Sequence, residues 1–341
     1  MKVLIATDAW HPQVNGVVRS LEHLAEEAGP LGAAIEFLTP DAFRTVPMPT
    51  YKEIRLSFAT PRAIRRTIDT VRPDFIHIAT EGPIGIATRH VCIADKLTFT
   101  TSYHTRFPEY LSARAPIPEQ WTYAAIRRFH NAGAATMVSS ASLDCELAAR
   151  GFRNLVRWSR GVDADLFQPR TEKPLHFPGP VFLYVGRVSV EKNIEAFLSV
   201  DLPGTKVVVG DGPAREQLET RYPDVRFLGV KTGQALADVY ASADVFVFPS
   251  LTDTFGIVLL EALASGLPIA AFPVMGPLDV VGDSGCGVLS PNLRDNALAA
   301  LDIPRDACRA YALTFSWQAS AQQFLDNIRR VQVSPSRGLA A

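Results

Sequence analysis

The sequence has few cysteines, and no motif pairs them. Four occur in 341 residues, with no CxxC pair and no metal-ligand spacing to histidine, namely Cys92, Cys145, Cys286 and Cys308. This usage argues against a disulfide-stabilised scaffold and indicates no zinc site. It is typical of reduced thiols in a cytosolic protein.

Long hydrophobic runs are missing as well. The apolar run within Met1–Asp8 is too short for a signal peptide, and no stretch approaches the roughly 18 apolar residues that span a membrane. We therefore expect a cytoplasmic protein that is soluble or bound peripherally to the inner face of the cell membrane.

The chain also lacks an excess of charge and a dinucleotide-binding motif. It carries 34 Lys+Arg against 35 Asp+Glu, a net charge of −1, which argues against a dedicated nucleic-acid-binding protein. A GxGxxG motif occurs nowhere in the sequence, which weakens a dehydrogenase interpretation.

The length and pattern predict two α/β domains. A chain of 341 residues exceeds the size at which a single core stops growing. Short apolar runs alternate with helix-period segments, and the pattern restarts after the turn-rich stretch Arg160–Pro180, which favours two open parallel sheets in tandem. We predict domains over 1–160 and 161–315, a helix over 316–333 and a disordered tail over 334–341. Ligands of such sheets bind at the carboxyl ends of strands, so the site is expected in the cleft between the domains.

The most informative segment is a strand, turn and helix in the second half. The apolar strand Val245–Pro249 precedes a helix predicted over Phe255–Ser265. Asp253 and Glu261 are eight positions apart, a little over two turns at about 3.6 residues per turn, so they are expected to share a face. The first turn would offer unpaired N–H groups and a positive dipole end to a diphosphate, from Thr254, Phe255, Gly256 and Ile257.

Two cations follow the first strand of the second half. Arg187 and Lys192 flank the start of a helix predicted over Ser189–Ser199. They can converge on anionic oxygens and stabilise a leaving nucleoside diphosphate without a metal. The alternative is a solvated ion pair with Glu191.

Two turns after strands are weaker candidates. Gly210 and Asp211 are predicted to form a turn and helix cap that lines the nucleotide side. Asn15 and Gly16 open the first helix, where Gly16 lets a ligand approach the backbone closely. A plain helix cap formed by Asn15 or Gly16 is an equal alternative.

His104 and Glu81 each follow a strand. His104 can hydrogen-bond a sugar hydroxyl or the reacting centre, although a purely structural histidine is the commoner case. Glu81 can face the cleft or cap the following helix.

A basic amphipathic segment begins at Thr60. It places Arg62, Arg65 and Arg66 close together, which suits docking on anionic lipid. A solvated surface is the alternative.

Taken together, these residues are similar to the retaining glycosyltransferases of the GT-B fold, family 4. The similarity runs from Asp8–Val17 through Ser102–His104 and Gly161–Phe167 to Ser316–Trp317, and it is most specific over Pro249–Pro268. The resemblance implies two Rossmann-like domains facing a cleft, the first binding the acceptor and the second the nucleotide sugar. It also implies that the C-terminal helix returns to the first domain.

The resemblance assigns roles in the second domain. The E-x7-E pattern of the family falls on Asp253 and Glu261, so Glu261 would contact the ribose and Asp253 the hydroxyls of the donor sugar. Arg187 and Lys192 match the phosphate-binding pair. The first acid departs from the pattern, since aspartate is one methylene shorter than glutamate and must sit differently against the sugar.

In the first domain, His104 matches the cleft histidine near the transferred sugar, and Gly16 matches the glycine loop. The residues Thr80–Pro83 and Thr252–Gly256 most resemble those of bacterial lipid-directed members. These include GDP-mannose-dependent α-mannosyltransferases and the sulfoquinovosyl- or glucosyl-diacylglycerol synthases that use UDP-sugars. Related lipid mannosyltransferases meet the membrane through a basic helix, which the Arg62–Arg66 segment fits.

The sequence therefore predicts a metal-independent hexosyltransferase that uses GDP-mannose or a UDP-sugar and a lipid or glycan acceptor. The expected catalytic residues are His104, Arg187, Lys192 and Asp253. The expected substrate-binding residues are Gly16, Asn15, Glu81, Gly210, Asp211, Thr254, Phe255, Gly256, Ile257 and Glu261. A nucleotide-sugar epimerase of the same fold, or a non-catalytic nucleotide-sugar-binding protein, is the alternative.

Overall fold

The computed structural model describes residues 1–13, 15–48, 54–112 and 118–333. It divides into two compact units, Met1–Arg160 together with the helix that starts at Trp317, and Gly161–Ser316. The predicted disordered tail over 334–341 lies outside the described residues.

Unit 1 is built on a parallel sheet. Its strands, with a separate antiparallel hairpin of β3 and β4, are β1 (Lys2–Ala6), β2 (Ala34–Leu38), β3 (Thr45–Pro47), β4 (Arg55–Ser57), β5 (Phe75–Ile78), β6 (Phe99–Ser102), β7 (Ala135–Val138) and β8 (Leu155–Arg157). The six-stranded sheet has the order β2-β1-β5-β6-β7-β8. Its helices are α1 (Gly16–Ala28), α2 (Pro61–Val71), α3 (Pro83–Ala94), α4 (Phe107–Ser112), α5 (Glu119–His130) and α6 (Ala141–Ala149).

Unit 2 also contains a six-stranded parallel sheet with helices. Its strands are β9 (Val181–Val185), β10 (Thr205–Val209), β11 (Arg226–Phe227), β12 (Val245–Phe248), β13 (Ile269–Ala271) and β14 (Gly287–Leu289). They form a second six-stranded parallel sheet in the order β11-β10-β9-β12-β13-β14. Its helices are α7 (Glu195–Leu198), α8 (Arg215–Arg221), α9 (Gly233–Ser242), α10 (Ile257–Ala264), α11 (Met275–Val280), α12 (Leu293–Ala300) and α13 (Arg305–Ala312).

The central strands are apolar on both faces because helices cover both sides of each sheet. Val3, Leu4 and Ile5 of β1 are at most 1% exposed, and all four residues of β12 are buried. This confirms the prediction of two parallel α/β sheets.

The last helix, α14 (Trp317–Val333), belongs to unit 1 and packs against α1. Trp158 Nε1 donates to Ser320 Oγ over 3.1 Å, and the Ser159 backbone N–H donates to Gln323 Oε1 over 2.7 Å. The predicted return of the C-terminal helix to the first domain is confirmed.

Two helix predictions in unit 2 were wrong in their bounds. The helix expected over Ser189–Ser199 is divided into a 3-10 turn, Val190–Lys192, and α7. Asn193, with a left-handed φ of 51°, and Ile194 separate the two. The helix expected from Phe255 starts at Ile257, because Gly256 has a φ of 84° and ends the preceding loop. Asp253 therefore lies in the loop, and helical periodicity does not place it on a face with Glu261.

No helix in the described parts of the chain is long and apolar enough to cross a membrane.

Candidate active site

The order of the strands in the second sheet identifies a candidate ligand site at the carboxyl ends of β9 and β12. The chain builds outward from β9 through β10 to β11 and then crosses to β12 on the other side of β9. Open parallel sheets bind ligands outside the carboxyl ends of the strands at such a switch point. The loops that leave this point are Gly186–Asn193 after β9 and Pro249–Gly256 after β12.

These two loops are tied together by hydrogen bonds. Asn193 Nδ2 donates to the carbonyl of Pro249 over 3.0 Å, and Thr252 Oγ1 donates to the carbonyl of Glu191 over 3.3 Å. Asparagine tolerates the left-handed conformation that this turn requires. The ties hold Lys192 beside the second loop.

Lys192 and Asp253 form an ion pair between the two loops. Both side chains are mostly buried, 21% and 18% exposed, and the Lys192 ammonium contacts Asp253 Oδ1. Asp253 Oδ2 is buried and has no hydrogen-bond partner among the described residues. A buried carboxylate oxygen without a donor is costly, and a ligand hydroxyl or a water would satisfy it.

Glu261 lies on α10 and is 3% exposed. The Tyr240 hydroxyl from α9 donates to Glu261 Oε2 over 2.9 Å, which fixes the carboxylate in the core. Phe255 packs into the same core, while Thr254, Gly256 and Ile257 remain partly accessible at the start of the helix. The helix start can thus present N–H groups to an anion.

Arg187 and the Gly210–Asp211 turn lie at neighbouring strand ends. The Tyr184 hydroxyl donates to the carbonyl of Arg187 over 2.8 Å. A Cβ on Gly210 would come within 1.9 Å of the Gly186 carbonyl oxygen, so glycine is required for the two loops to approach. Asp211 Oδ1 accepts from the Gly212 N–H over 2.7 Å, so its side chain closes the predicted turn. The predicted helix cap is wrong, because the N-cap of α8 is Ala214, which makes no side-chain cap hydrogen bond.

In unit 1, Asn15 is the N-cap of α1. Its Oδ1 accepts from the backbone N–H groups of Val17 and Val18 over 3.0 and 3.1 Å, and Gly16 is the first helical residue. The helix-cap interpretation of Asn15 is therefore confirmed. The loop runs from the carboxyl end of β1, next to β5 in the sheet.

Glu81 follows β5 but does not cap α3. Its Oε1 lies 2.9 Å from Nε2 of the buried His130. The N-cap residue of α3 is Gly82, and the carboxylate of Asp8 accepts from the N–H groups of Ile84 and Gly85 over 2.8 and 3.2 Å. Burial raises the pKa of Asp8, with these N–H groups acting in the opposite direction. The capping role of Asp8, 76 residues from Ile84, has no local sequence signal.

His104 follows β6 and is partly buried. Its Nδ1 lies 3.1 Å from a terminal nitrogen of Arg160, whose side chain the sequence did not identify. Burial, followed by the Arg160 charge, lowers the pKa of His104 well below its ordinary value. His104 is therefore neutral at physiological pH.

The predicted site residues thus form two sets, each described within its own unit. Lys192, Asp253 and Glu261 are linked through the loops and α10 of unit 2, together with the Gly210–Asp211 turn. In unit 1, Gly16, Glu81 and His104 follow β1, β5 and β6, which are neighbours in the sheet. Because these strands are parallel, their carboxyl ends lie side by side at the same end of the sheet.

The basic segment forms α2, with Arg62, Arg65 and Arg66 exposed. Arg65 makes a bidentate pair with Asp95, with distances of 2.7 and 2.9 Å. This pair lowers the pKa of Asp95 and raises that of Arg65. Arg65 is thus partly neutralised in place.

The described residues contain no group of three or more His, Cys, Asp or Glu side chains that could hold a metal ion.

Comparison with known proteins shows the family to which this chain belongs. A family model described as "Glycosyltransferase Family 4" matches residues 14–166, and one described as "Glycosyl transferases group 1" matches residues 179–302. A GDP-mannose-dependent alpha-mannosyltransferase of Mycolicibacterium smegmatis is 30% identical over 85% of this chain and 84% of its own length. The chain belongs to the family 4 glycosyltransferases.

Two other relatives of this glycosyltransferase have names that specify different transferred sugars. A GDP-mannose-dependent alpha-mannosyltransferase of Mycobacterium tuberculosis is 28% identical over 97% of both chains. The sulfoquinovosyl transferase SQD2 of Arabidopsis thaliana is 34% identical over 70% of this chain and 50% of its own length. The epimerase and non-catalytic alternatives gain no support from these matches.

Solved structures show the GT-B fold of this glycosyltransferase. A sucrose-phosphate synthase from Thermosynechococcus elongatus superposes with a TM-score of 0.79 at 20% identity, covering 98% of this chain and all of that one. Anabaena Alr3699/HepE, solved with UDP and glucose, has a TM-score of 0.75 at 17% identity, with coverage of 97% and 100%.

Proposed function

We propose that this glycosyltransferase moves a hexose, with retention of anomeric configuration, from a nucleoside diphosphate sugar to a hydroxyl of a lipid or glycan. Unit 2 would bind the donor and unit 1 the acceptor. The observation that supports this most directly is the Lys192–Asp253 pair at the strand switch point, with one buried carboxylate oxygen lacking a partner among the described residues.

Each residue has a proposed role in holding the donor. Lys192 and Arg187, with the start of α10, would bind the diphosphate and stabilise the negative charge that grows on it as the glycosidic bond breaks. Asp253 Oδ2 would accept a hydrogen bond from a hydroxyl of the sugar. Glu261 would bind the ribose, and the Gly210–Asp211 turn would line the nucleotide.

In unit 1, His104 would donate a hydrogen bond to a substrate oxygen. Asn15, Gly16 and Glu81 would line the substrate at the same sheet edge. The departing phosphate would help to deprotonate the acceptor, so the protein mainly positions the reactants and stabilises charge. The fixed cations supply this charge in the proposed mechanism, which we therefore expect to proceed in the presence of EDTA.

The donor is proposed to be GDP-mannose or a UDP-sugar. The mycobacterial relatives are GDP-mannose-dependent by name, and Alr3699/HepE was solved with UDP-glucose. A thermal-shift comparison of GDP and UDP would identify the base, because a ligand that binds only the folded state raises its apparent stability.

Transfer is tested by incubating the matching nucleotide sugar with lipid and glycan acceptors. We expect acceptor-dependent release of the nucleoside diphosphate and an α-linked product from an α-linked donor, as read by NMR. Inversion of the anomeric carbon would contradict retention. Turnover of the donor to an isomeric nucleotide sugar without an acceptor would instead show an epimerase.

Peripheral membrane binding is proposed through α2. The Arg62→Ser/Arg66→Ser double variant is expected to bind anionic vesicles more weakly at low salt, by about 1 kcal/mol for each charge removed. Arg65→Ser is the matched control and should have the smaller effect, because Asp95 already pairs with Arg65. Unchanged vesicle binding of the double variant would identify α2 as ordinary solvated surface.

A further inference from the structure

Arg160 is a buried cation in unit 1. It is 5% exposed, and within the described residues no carboxylate forms an ion pair with it. One terminal nitrogen donates to the carbonyls of Trp158 and Ser159 over 2.7 and 3.0 Å, and the guanidinium lies 4.2 Å from the centre of the Trp158 ring. Burying a cation without a counter-charge is costly, and these contacts repay only part of that cost.

The other terminal nitrogen of Arg160 faces His104 Nδ1 at 3.1 Å. A guanidinium has five donors and no acceptor, so His104 Nδ1 must be the acceptor in this hydrogen bond. A neutral imidazole that accepts at Nδ1 carries its proton on Nε2. A carboxylate in the place of Arg160 would impose the opposite tautomer.

The surroundings of His104 also oppose its protonation. The titratable groups that face it are Arg160 after β8, His77 on β5 and His130 at the end of α5. Burial contributes most to the lowered pKa of His104, and the Arg160 charge is next, ahead of the two histidines. His104 therefore stays in one neutral form over the physiological range.

We propose that Arg160 is a positioning residue that holds His104 in the neutral tautomer with its proton on Nε2. His104 then donates a hydrogen bond to a substrate oxygen and does not act as a base through Nδ1. This inference rests on the proposed role of His104 in the transfer reaction. It gives a reason for burying a guanidinium that has no carboxylate partner among the described residues.

The tautomer is measured on the ligand-free, full-length enzyme by nitrogen NMR of its labelled histidines. The chain has seven histidines, and the signal lost in His104→Gln identifies the one of interest. We expect a protonated Nε2 and an unprotonated Nδ1 from about pH 8 to about pH 5.5. A proton on Nδ1, or an imidazolium at neutral pH, would overturn the inference whatever the activity.

Kinetics tests whether the tautomer matters. Arg160→Met should lower kcat roughly 10- to 100-fold, the usual loss when a group that orients a functional histidine is removed, with little change in the KM for the donor. Arg160→Lys keeps a cationic donor and should recover part of the rate. In Arg160→Met, the pKa of His104 should rise, because the charge that opposes protonation is gone.

Arg309 provides the matched control. Its guanidinium donates to the carbonyls of Ala164, Phe167 and Ala264 over 2.6 to 2.8 Å and contacts no histidine in the described chain. Arg309→Met should lower stability without changing the tautomer of His104. Equal kinetic losses in the two methionine variants, with no rescue by Arg160→Lys, would reduce Arg160 to a structural residue.

The outcomes separate this inference from the proposed function. Failure to release a diphosphate from any nucleotide sugar would contradict the proposed function, while the ligand-free spectrum would still decide the tautomer. A wild-type rate in His104→Ala, which has no hydrogen-bond donor, would overturn the positioning role, since Arg160 would then act through no reacting group. If Arg160→Met does not fold, the wild-type spectrum and Arg160→Lys still test the proposal.

Discussion

At the scale of single residues, Lys192 contacts the carboxylate of Asp253, and we propose that it also binds the diphosphate of the donor. Lys192→Ala and Glu261→Ala are each expected to lower turnover by about 10²-fold or more, the loss typical of a group that stabilises transition-state charge or positions the donor. The rate at which each variant releases the nucleoside diphosphate measures this loss of turnover. The matched control is Lys173→Ala, which breaks a Lys–Asp pair of 2.7 Å with Asp244 in the same unit. Comparable losses in the control would attribute the effect to stability alone.

A second residue-scale consequence is sensitivity to acid. His77 is fully buried between Thr100 Oγ1 and Ser102 Oγ at 2.8 and 2.9 Å, and burial above all lowers its pKa from 6.5 to about 3. Between about pH 3 and about pH 6.5, His77 therefore binds a proton in the unfolded chain but not in the folded chain. Stability from neutral His77 is present above the unfolded pKa and is lost as the pH falls, by about 2 kcal/mol at about pH 5.

Urea unfolding at about pH 7 and about pH 5 measures this loss. His77→Gln should reduce the dependence of the unfolding free energy on pH, although it lowers stability at neutral pH. His90→Gln changes an exposed histidine of the same unit and should leave the dependence unchanged. Parallel curves for wild type and His77→Gln would show that another group titrates.

At the scale of elements, the start of α10 depends on glycine. Gly256 has a φ of 84°, and an added Cβ would lie 3.2 Å from Phe248 Cζ and Leu259 Cδ1. Gly256→Ala is expected to destabilise unit 2 by about 1–3 kcal/mol and to weaken binding of the cognate diphosphate. Calorimetry measures both effects.

The control for this element is Gly285→Ala. Gly285 has a similar φ of 74°, but nothing lies within 4 Å of its added Cβ. It precedes β14 and so lies at the amino ends of the strands, away from their carboxyl ends. We expect a comparable strain and undiminished binding of the diphosphate. Equal losses of binding in both variants would refute a specific role for the α10 start.

At the scale of the whole molecule, the stability of unit 1 depends on α14, which follows unit 2 in the sequence. Phe324 of α14 is fully buried, with its ring 4.9 Å from that of Trp158 and 5.0 Å from that of His77. Phe324→Ala should lower the unfolding free energy of unit 1 by about 3–5 kcal/mol. Trp121→Ala, which truncates a side chain 68% exposed, is the control and should change it little. Denaturation curves with two transitions would report the unfolding of each unit separately. If Phe324→Ala lowered the unfolding free energy of unit 2 alone, the assignment of α14 to unit 1 would be contradicted.

Sequence patterns predicted the features that depend on short-range periodicity. Continuous apolar runs such as Val245–Phe248 identified the strands, and the alternation of strands and helices indicated two parallel sheets. The motif residues taken together suggested the family, and the segment Pro249–Pro268 around Asp253 and Glu261 was the most specific of them. The hairpin of β3 and β4 was missed because its short strands are half polar and exposed.

The site was predicted less completely. The spacing of Asp253 and Glu261 suggested one helix face, yet Asp253 lies in a loop because Gly256 ends the turn before α10. The long helix predicted through Lys192 is interrupted because Asn193 adopts a left-handed turn and donates to Pro249. Both errors come from side-chain and backbone contacts that a periodic pattern does not contain.

The sequence by itself determined the α/β class, the two-sheet organisation and the family, since these follow from local hydrophobic period and from motif residues close in the chain. Only the tertiary structure decided which partners hold the functional side chains. Arg160 reaches His104 across 56 positions, Lys192 reaches Asp253 across 61, and α14 joins unit 1 from the far end of the chain. The physical reason is that protonation and ion pairing depend on distances and burial in space, which the order of strands in each sheet sets.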